Sequence, residues 1–406
     1  MGALWCFLFL FFVLKSFNDV ECDCNLSLEK DFGSPSPVFL HKNTYLAPND
    51  SGAVILKRSD KITIACPGNK RLIILGDTTS RYSVLEANCI ESSTFDVDGW
   101  RGQFRDIRCS GQPTFSTQES DKPCYRPRRD VDGAKRYRVG YQIKSRFYSL
   151  YEACFDSDFL RTRYVVHTLT PSSRYMQQGS TRPQFTEGNL FGKVKMSKIY
   201  KIENQKVRLD EILGGNMADR YVTKKQFLTR GHLAPRADFT LHAESRASFH
   251  YVNAAPQWQR GNAGDWAALE DALRRRVQSL GRSLTIVTGT HGTVWLPDGH
   301  RTPRDIYLHA DENNNLLVPV PLYFYKLVYD TKGKKATAFV SINSSYYNTS
   351  TIEDLTFCND VCEDNADFSW LKWRSNDGTF SFCCDYEEFT NKIDYFDRLD
   401  VTGLFS

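Results

Sequence analysis

The spacing of apolar residues changes several times along this chain, and each change marks an element. In the first third, VILKRSDKITIAC (54–66) and RLIILGD (71–77) are short β-rich runs separated by turn residues. Further on, RVGYQI (138–143), YVVHTLTP (164–171), LTIVTGT (284–290), YFYKLVYD (323–330) and TAFVSIN (337–343) also read as strands. One stretch has the helical period. In DWAALEDALRRRVQSLG (265–281), Trp266, Leu269, Leu273, Val277 and Leu280 fall on one stripe at spacings of three and four. Asp265 is placed to cap the start of that helix and Gly281 to end it. There is no long internal repeat and no low-complexity tract. Strands flanking a few helices predict an α+β fold.

Within this pattern, FLTRGHLAPRADF (227–239) is unusual, because polar groups interrupt an apolar run. Arg230 and His232 are two residues apart, so in a strand they point to the same side. An arginine and a neutral histidine on one face suit a phosphate clamp beside a general base. They also suit a salt-bridged surface patch.

A length of 406 residues implies two or three domains. With 41% hydrophobic and 25% charged residues, wholesale disorder is excluded. A net charge of +4 is too small by itself to imply a nucleic-acid partner, but between Arg220 and Ala310 there are 13 Lys/Arg against 7 Asp/Glu. Ala3–Leu14 is an apolar run of 12 residues, shorter than the about 20 that a bilayer span needs, and fits a secretory signal peptide over residues 1–22. Cutting after Cys22 leaves ten of the 12 cysteines, an even number. Six lie early (Cys24, Cys66, Cys89, Cys109, Cys124, Cys154) and four late (Cys358, Cys362, Cys383, Cys384). The late group has one pair with zinc-like spacing, but adjacent cysteines fit zinc poorly, and disulfides are the expectation. Glycosylation sequons occur at Asn25, Asn49, Asn343 and Asn348. The chain is therefore expected to be secreted and soluble, with no membrane partner. Residues 23–130 are read as a cysteine-containing, mainly-β N-terminal domain or pro-region, and residues 131–406 as a second domain. Between them, Arg126-Pro127-Arg128-Arg129 is either a proprotein-convertase site ending at Arg129 or a solvated basic loop.

TRGHLAPRADF, then NAAPQ, then NAGDWAALE occur in order, followed by the strand-like PLYFYKLVYD and ATAFVSIN. Over roughly residues 135–350 this arrangement resembles the DNA/RNA non-specific endonuclease family, of the ββα-metal fold. The cysteine-bearing N-terminal extension resembles that of arthropod secreted nucleases, including those active on double-stranded RNA. The resemblance implies a ββα-metal nuclease domain with mixed sheets flanked by helices, preceded by a small disulfide-bonded mainly-β domain. It implies hydrolysis of phosphodiester bonds in DNA, RNA or both, leaving 5′ phosphates, with Mg2+ as cofactor and Mn2+ as a substitute. His232 would be the general base; its imidazole is available near neutral pH. Asn262 would bind a hydrated Mg2+, and Glu270 would hold water of that ion. Arg230 and Arg274 would contact the phosphate. Asn253 would position the phosphate or hold the scaffold, and Gln257 would be structural. One position departs from the family: aspartate usually precedes Arg-Gly-His, and here it is Thr229.

Each residue also has a plainer reading: a core histidine, a helix-entry asparagine, and an i,i+4 ion pair between Glu270 and Arg274. At the level of the whole chain the alternatives are a nuclease fold that only binds nucleic acid, a phosphodiesterase for small nucleotides, and a disulfide-rich binding protein. The intact set of His232, Asn262, Glu270, Arg230 and Arg274 favours an enzyme, because binding alone requires neither a base nor a metal ligand. The preferred polymer, the biological purpose and the oligomeric state are left open.

Overall fold

The computed structural model describes residues 23–124, 133–179, 181–374 and 379–406. The expected leader (1–22) and the Arg126–Arg129 motif lie outside the described residues. Among those described, no helix is long and apolar enough to cross a membrane.

The N-terminal part is built from short strands. A six-stranded sheet runs in the order Trp100–Gln103, Thr94–Val97, Val84–Glu91, Lys61–Ala65, Val38–His41 and Thr44–Tyr45. Ile73–Leu75 pairs with Ile107–Cys109 and Thr78–Thr79, and Cys24–Ser27 pairs with Ala53–Leu56. Phe39, Phe95 and Phe104 fill the space between them, with ring centroids 5.0 and 4.8 Å apart. Disulfides Cys24–Cys89 and Cys66–Cys109 close this small unit, which supplies constraint where the core is limited.

The rest is organised by a nine-stranded sheet. Its main path is Ser116–Glu119, Ala134–Ile143, Arg146–Asp156, Arg161–Leu169, Leu284–His291, Tyr323–Asp330, Lys335–Ile342 and Phe380–Cys384, with Gly403–Leu404 pairing beside Lys335–Ile342. Every residue of Tyr323–Asp330 is buried, as expected of a strand covered on both faces. Phe324 and Val328 meet the long helix Asp265–Leu280 through Trp266, Leu269, Leu273 and Val277. Tyr325, Leu327 and Tyr329 face the opposite side, towards Phe389, Ile393 and Phe396. The helix ends at Gly281 in the left-handed conformation (φ 60°), which favours glycine. Its start corrects the sequence reading. Gly264 is the N-cap, and Asp265 lies inside the first turn, where its buried carboxylate accepts the backbone N–H of Arg374.

All ten described cysteines form disulfides. The late four pair as Cys358–Cys384 and Cys362–Cys383, so the zinc alternative is replaced by crosslinks. Cys124–Cys154 joins the segment before residue 125 to a strand of the large sheet. The two parts also share apolar contacts: Val38, Leu40 and Ala65 pack with Tyr141, Ile143, Ala243 and Ala247.

The Cys124–Cys154 bond has a direct test. If the purified protein is cut after Arg129 by an added convertase, it should run as one species without reductant and as two with it. Two species without reductant would rule the bond out.

Candidate nuclease site

Leu228–His232 and Ala254–Trp258 form an antiparallel ribbon separate from the large sheet, with Thr229 opposite Gln257, Arg230 opposite Pro256, Gly231 opposite Ala255 and His232 opposite Ala254. Gln259–Ala263 and the long helix follow directly. Arg230 and His232 share a side, as the alternation predicts, and Phe185 touches both: its ring centroid is 4.9 Å from that of His232 and 5.7 Å from the Arg230 guanidinium. A Cβ added at Gly231 would lie 2.4 Å from Oε1 of the buried Gln257, which explains the glycine between them.

A two-stranded ribbon inside a protein leaves outer backbone groups that need partners. Three buried amide side chains supply them. Gln205 accepts from the N–H of Leu228 (2.9 Å) and donates to its carbonyl (2.8 Å). Asn253 does the same for Ala234, at 2.8 Å each way, and also donates to the Ser248 carbonyl. Asn343 accepts from Trp258 N–H (3.0 Å) and donates to the carbonyls of Pro256 and Pro321. With its amide committed and fully buried, Asn253 is placed to hold the chain just after His232 rather than to touch substrate. Asn343 is 4% exposed, so the sequon there is closed to a glycan.

His232 packs against Phe185 and Phe249, and its Nε2 is enclosed without a hydrogen-bond partner. Burial, then the charges of Arg182 and Arg236, push its pKa down to about 3. The imidazole is therefore neutral at physiological pH, beside two guanidinium groups. Arg182 lies over the Phe249 ring at 5.5 Å. Sequence reasoning missed it; its only local signal is an arginine before proline in TRPQF (181–185).

Arg230 is held by aromatic rings. Its guanidinium carbon lies 5.2 Å from the Tyr200 ring and 5.7 Å from that of Tyr251, and Nε donates to the Tyr251 hydroxyl at 3.0 Å. Asn262, on the short helix Gln259–Ala263, donates through Nδ2 to Thr229 Oγ1 at 3.2 Å. It thus reaches the ribbon at a position of opposite parity to Arg230 and His232.

The long helix brings Glu270 and Arg274 over a charged layer that the sequence did not reveal. Lys326, 2% exposed, occupies the helix-facing side of its strand, donates to Thr288 Oγ1 at 2.7 Å and lies 5.2 Å from the Trp266 ring. Burial pushes Glu270 up to about 7 against the pull of Lys326. Burial lowers Lys326, opposed by Glu270 and Asp238. Arg274 influences Glu270 electrostatically, but its hydrogen bond goes to Asp238 at 2.9 Å. The simple i,i+4 pair is thereby replaced by a longer-range one. Asp238 also bonds His167 Nε2 at 2.8 Å. Burial pushes Asp238 up, but the His167 hydrogen bond and the nearby positive charges outweigh it and hold it below its ordinary range.

The donor set fits a hydrated divalent cation. Thr229 occupies the amide nitrogen of Asn262, which leaves the oxygen as the ligand atom, and Gln257 Oε1 is a buried acceptor with no partner. Neutral oxygens of this kind suit an ion that keeps most of its waters.

The depressed pKa of His232 gives a stability prediction. Between pH 6.5 and about 3 the unfolded chain binds a proton at this residue that the folded chain does not, so wild-type stability falls as pH falls. Urea unfolding of wild type and His232→Asn from pH 7.5 to 4.5 should show wild type losing ground on acidification, with a slope approaching about 1.4 kcal/mol per pH unit. Parallel curves would contradict the burial of a neutral imidazole.

The family described as DNA/RNA non-specific endonuclease matches residues 132–400. A salivary endonuclease of Lutzomyia longipalpis is 29% identical over 93% of this chain and 85% of its own length. The salivary protein Tsal2A of Glossina morsitans morsitans is 22% identical over 91% of each. The crystal structure of the EndoG/EndoGI complex aligns with 52% of this chain and 82% of that chain at 20% identity, with a TM-score of 0.33, too loose to carry weight. The family match takes in the ribbon, the long helix and the charged layer together, and the chain belongs to the DNA/RNA non-specific endonuclease family.

Proposed function

We propose that this nuclease is a secreted, Mg2+-dependent endonuclease that cuts DNA, RNA or both with little sequence preference and leaves 5′ phosphates. The observation that carries this reading is His232: a neutral, enclosed imidazole with an unpartnered Nε2, flanked by Arg182 and Arg236. A neutral imidazole has a lone pair for a proton from an attacking water, and a phosphate that offsets the charges of Arg182 and Arg236 would raise its pKa towards the range a general base needs. The neighbouring guanidinium groups favour a phosphate, and they keep the imidazole unprotonated until it acts. Arg230, held by its rings, presents a pre-set cation to the non-bridging oxygens. Arg274, fixed by Asp238, is a second phosphate contact, and Asn253 positions the loop after the base. Asn262 and Glu270 are the residues that would hold Mg2+ or Mn2+. Such an ion supplies charge neutralisation at the phosphate and the leaving oxygen. Contacts to the backbone carry no base code, which accounts for sequence tolerance and implies weaker action at high salt.

The test is cleavage of circular double-stranded DNA and long double-stranded RNA, with Mg2+ and with chelator, by wild type and His232→Ala. Cutting should require the ion and fall at least about a hundredfold in the variant. A wild type that cuts neither polymer, before and after convertase treatment at Arg129, would sink the enzyme reading. A variant as active as wild type would remove His232 from the base role.

The secretory route has its own test. Asn25, Asn49 and Asn348 are exposed, whereas Asn343 is buried with both amide atoms bonded. Peptide mapping of protein secreted from eukaryotic cells should find glycans only among the three exposed sites. A glycan on Asn343 would contradict its place in the core.

A further inference from the structure

The structure gives Thr229 two hydrogen bonds through one oxygen. Its Oγ1 donates to the Gln257 carbonyl at 2.9 Å and accepts from Asn262 Nδ2 at 3.2 Å. A hydroxyl has one hydrogen and two lone pairs. With the hydrogen committed to Gln257, the oxygen can offer Asn262 only lone pairs. It therefore receives the NH2 end of the amide and excludes the oxygen end. The Gln257 carbonyl is itself fixed by the ribbon, because Thr229 and Gln257 are cross-strand partners. Asn262 sits on a helix of five residues, and its side-chain amide is held by the hydrogen bond to Thr229.

We propose that Thr229 is the positioning residue that sets the Asn262 amide with its oxygen turned to the cation, and that it does so without a charge. The inference rests on the reading of Asn262 as metal ligand. A carboxylate here would also accept from Nδ2, but it would bring a negative charge and no hydrogen for the Gln257 carbonyl. The two contributions separate by substitution. Thr229→Val keeps the shape and removes the acceptor, leaving both amide orientations open. Thr229→Ser keeps the hydroxyl. Thr229→Asp keeps the acceptor, loses the hydrogen bond to the Gln257 carbonyl and adds the charge.

Binding of Mn2+ to the full-length protein, followed by electron paramagnetic resonance, reads the effect without turnover. Circular dichroism and thermal unfolding check that each variant is folded. Loss of an orienting partner of a metal ligand typically weakens binding by about ten- to a hundredfold. Thr229→Val should weaken Mn2+ by about tenfold, Thr229→Ser should bind close to wild type, and Thr229→Asp should bind more tightly. In cleavage assays, Thr229→Val should raise the half-saturating metal concentration far more than it lowers the saturated rate. Asn262→Ala separates the two failures. If it abolishes Mn2+ binding while Thr229→Val binds as wild type does, the orienting role is wrong and the ligand assignment stands. If Asn262→Ala binds as wild type does, or wild type binds no Mn2+, the ligand assignment falls and this inference falls with it.

Discussion

The site depends on satisfying the backbone of a buried two-stranded ribbon. A ribbon this narrow has outer N–H and C=O groups on both strands, and burial removes the water that would otherwise bond them. Gln205, Asn253 and Asn343 replace that water. Each amide presents a donor and an acceptor side by side, so it pairs with backbone as a neighbouring strand would. The three anchors lie at the start of the motif strand, just past its end, and on the partner strand. They come from a helix, from the loop before the second strand, and from the end of a strand of the large sheet. The ribbon is thereby tied to three elements at once. Losing one amide leaves a buried donor and acceptor unpaired, at about 1–3 kcal/mol each.

A ribbon fixed in this way can carry charges that would otherwise be costly to order. Arg230 is boxed by Phe185, Tyr200 and Tyr251, and Arg182 lies over Phe249. These rings limit the freedom of both cations. The opposite sign is handled one layer deeper. Glu270, Asp238 and Lys326 share the space between helix and sheet, and each shifts its neighbours. Arg274 belongs to both groups, because Asp238 holds it while its helix carries it to the site. The ring-held cations thus rest on a nearly balanced interior.

Local signals made much of this legible. The strand runs, the helix stripe and its glycine end depend on near neighbours, and they reappear where the periodicity puts them. Arg230 and His232 share a side for the same reason. What escaped depends on residues far apart in sequence. Lys326 looks like an interruption of a strand until Glu270 is seen above it. Asp265 has the composition of a cap, but its carboxylate is taken by Arg374, more than a hundred residues away. Asn343 satisfies the sequon pattern while its amide is spent on Trp258, Pro256 and Pro321. Gln205 sits in a polar helix with no local sign that it will bond Leu228. The cysteine count gave the number of crosslinks, but only the fold gave the partners.

The N-terminal unit belongs in the same physical picture. Its apolar residues Val38, Leu40 and Ala65 cover Ala243 and Ala247, on the helix that follows the motif loop. Tyr141 and Tyr151 donate to the carbonyls of those two alanines. Leu241, just before the helix, packs into the N-terminal core. The segment from Asp238 to Ala247 is therefore held between the charged layer on one side and the N-terminal unit on the other. Taking that unit away would uncover the alanine face and Leu241 close to the carboxylate that fixes Arg274. Its packing supports the segment that follows the ribbon, and the Cys124–Cys154 bond keeps that support attached.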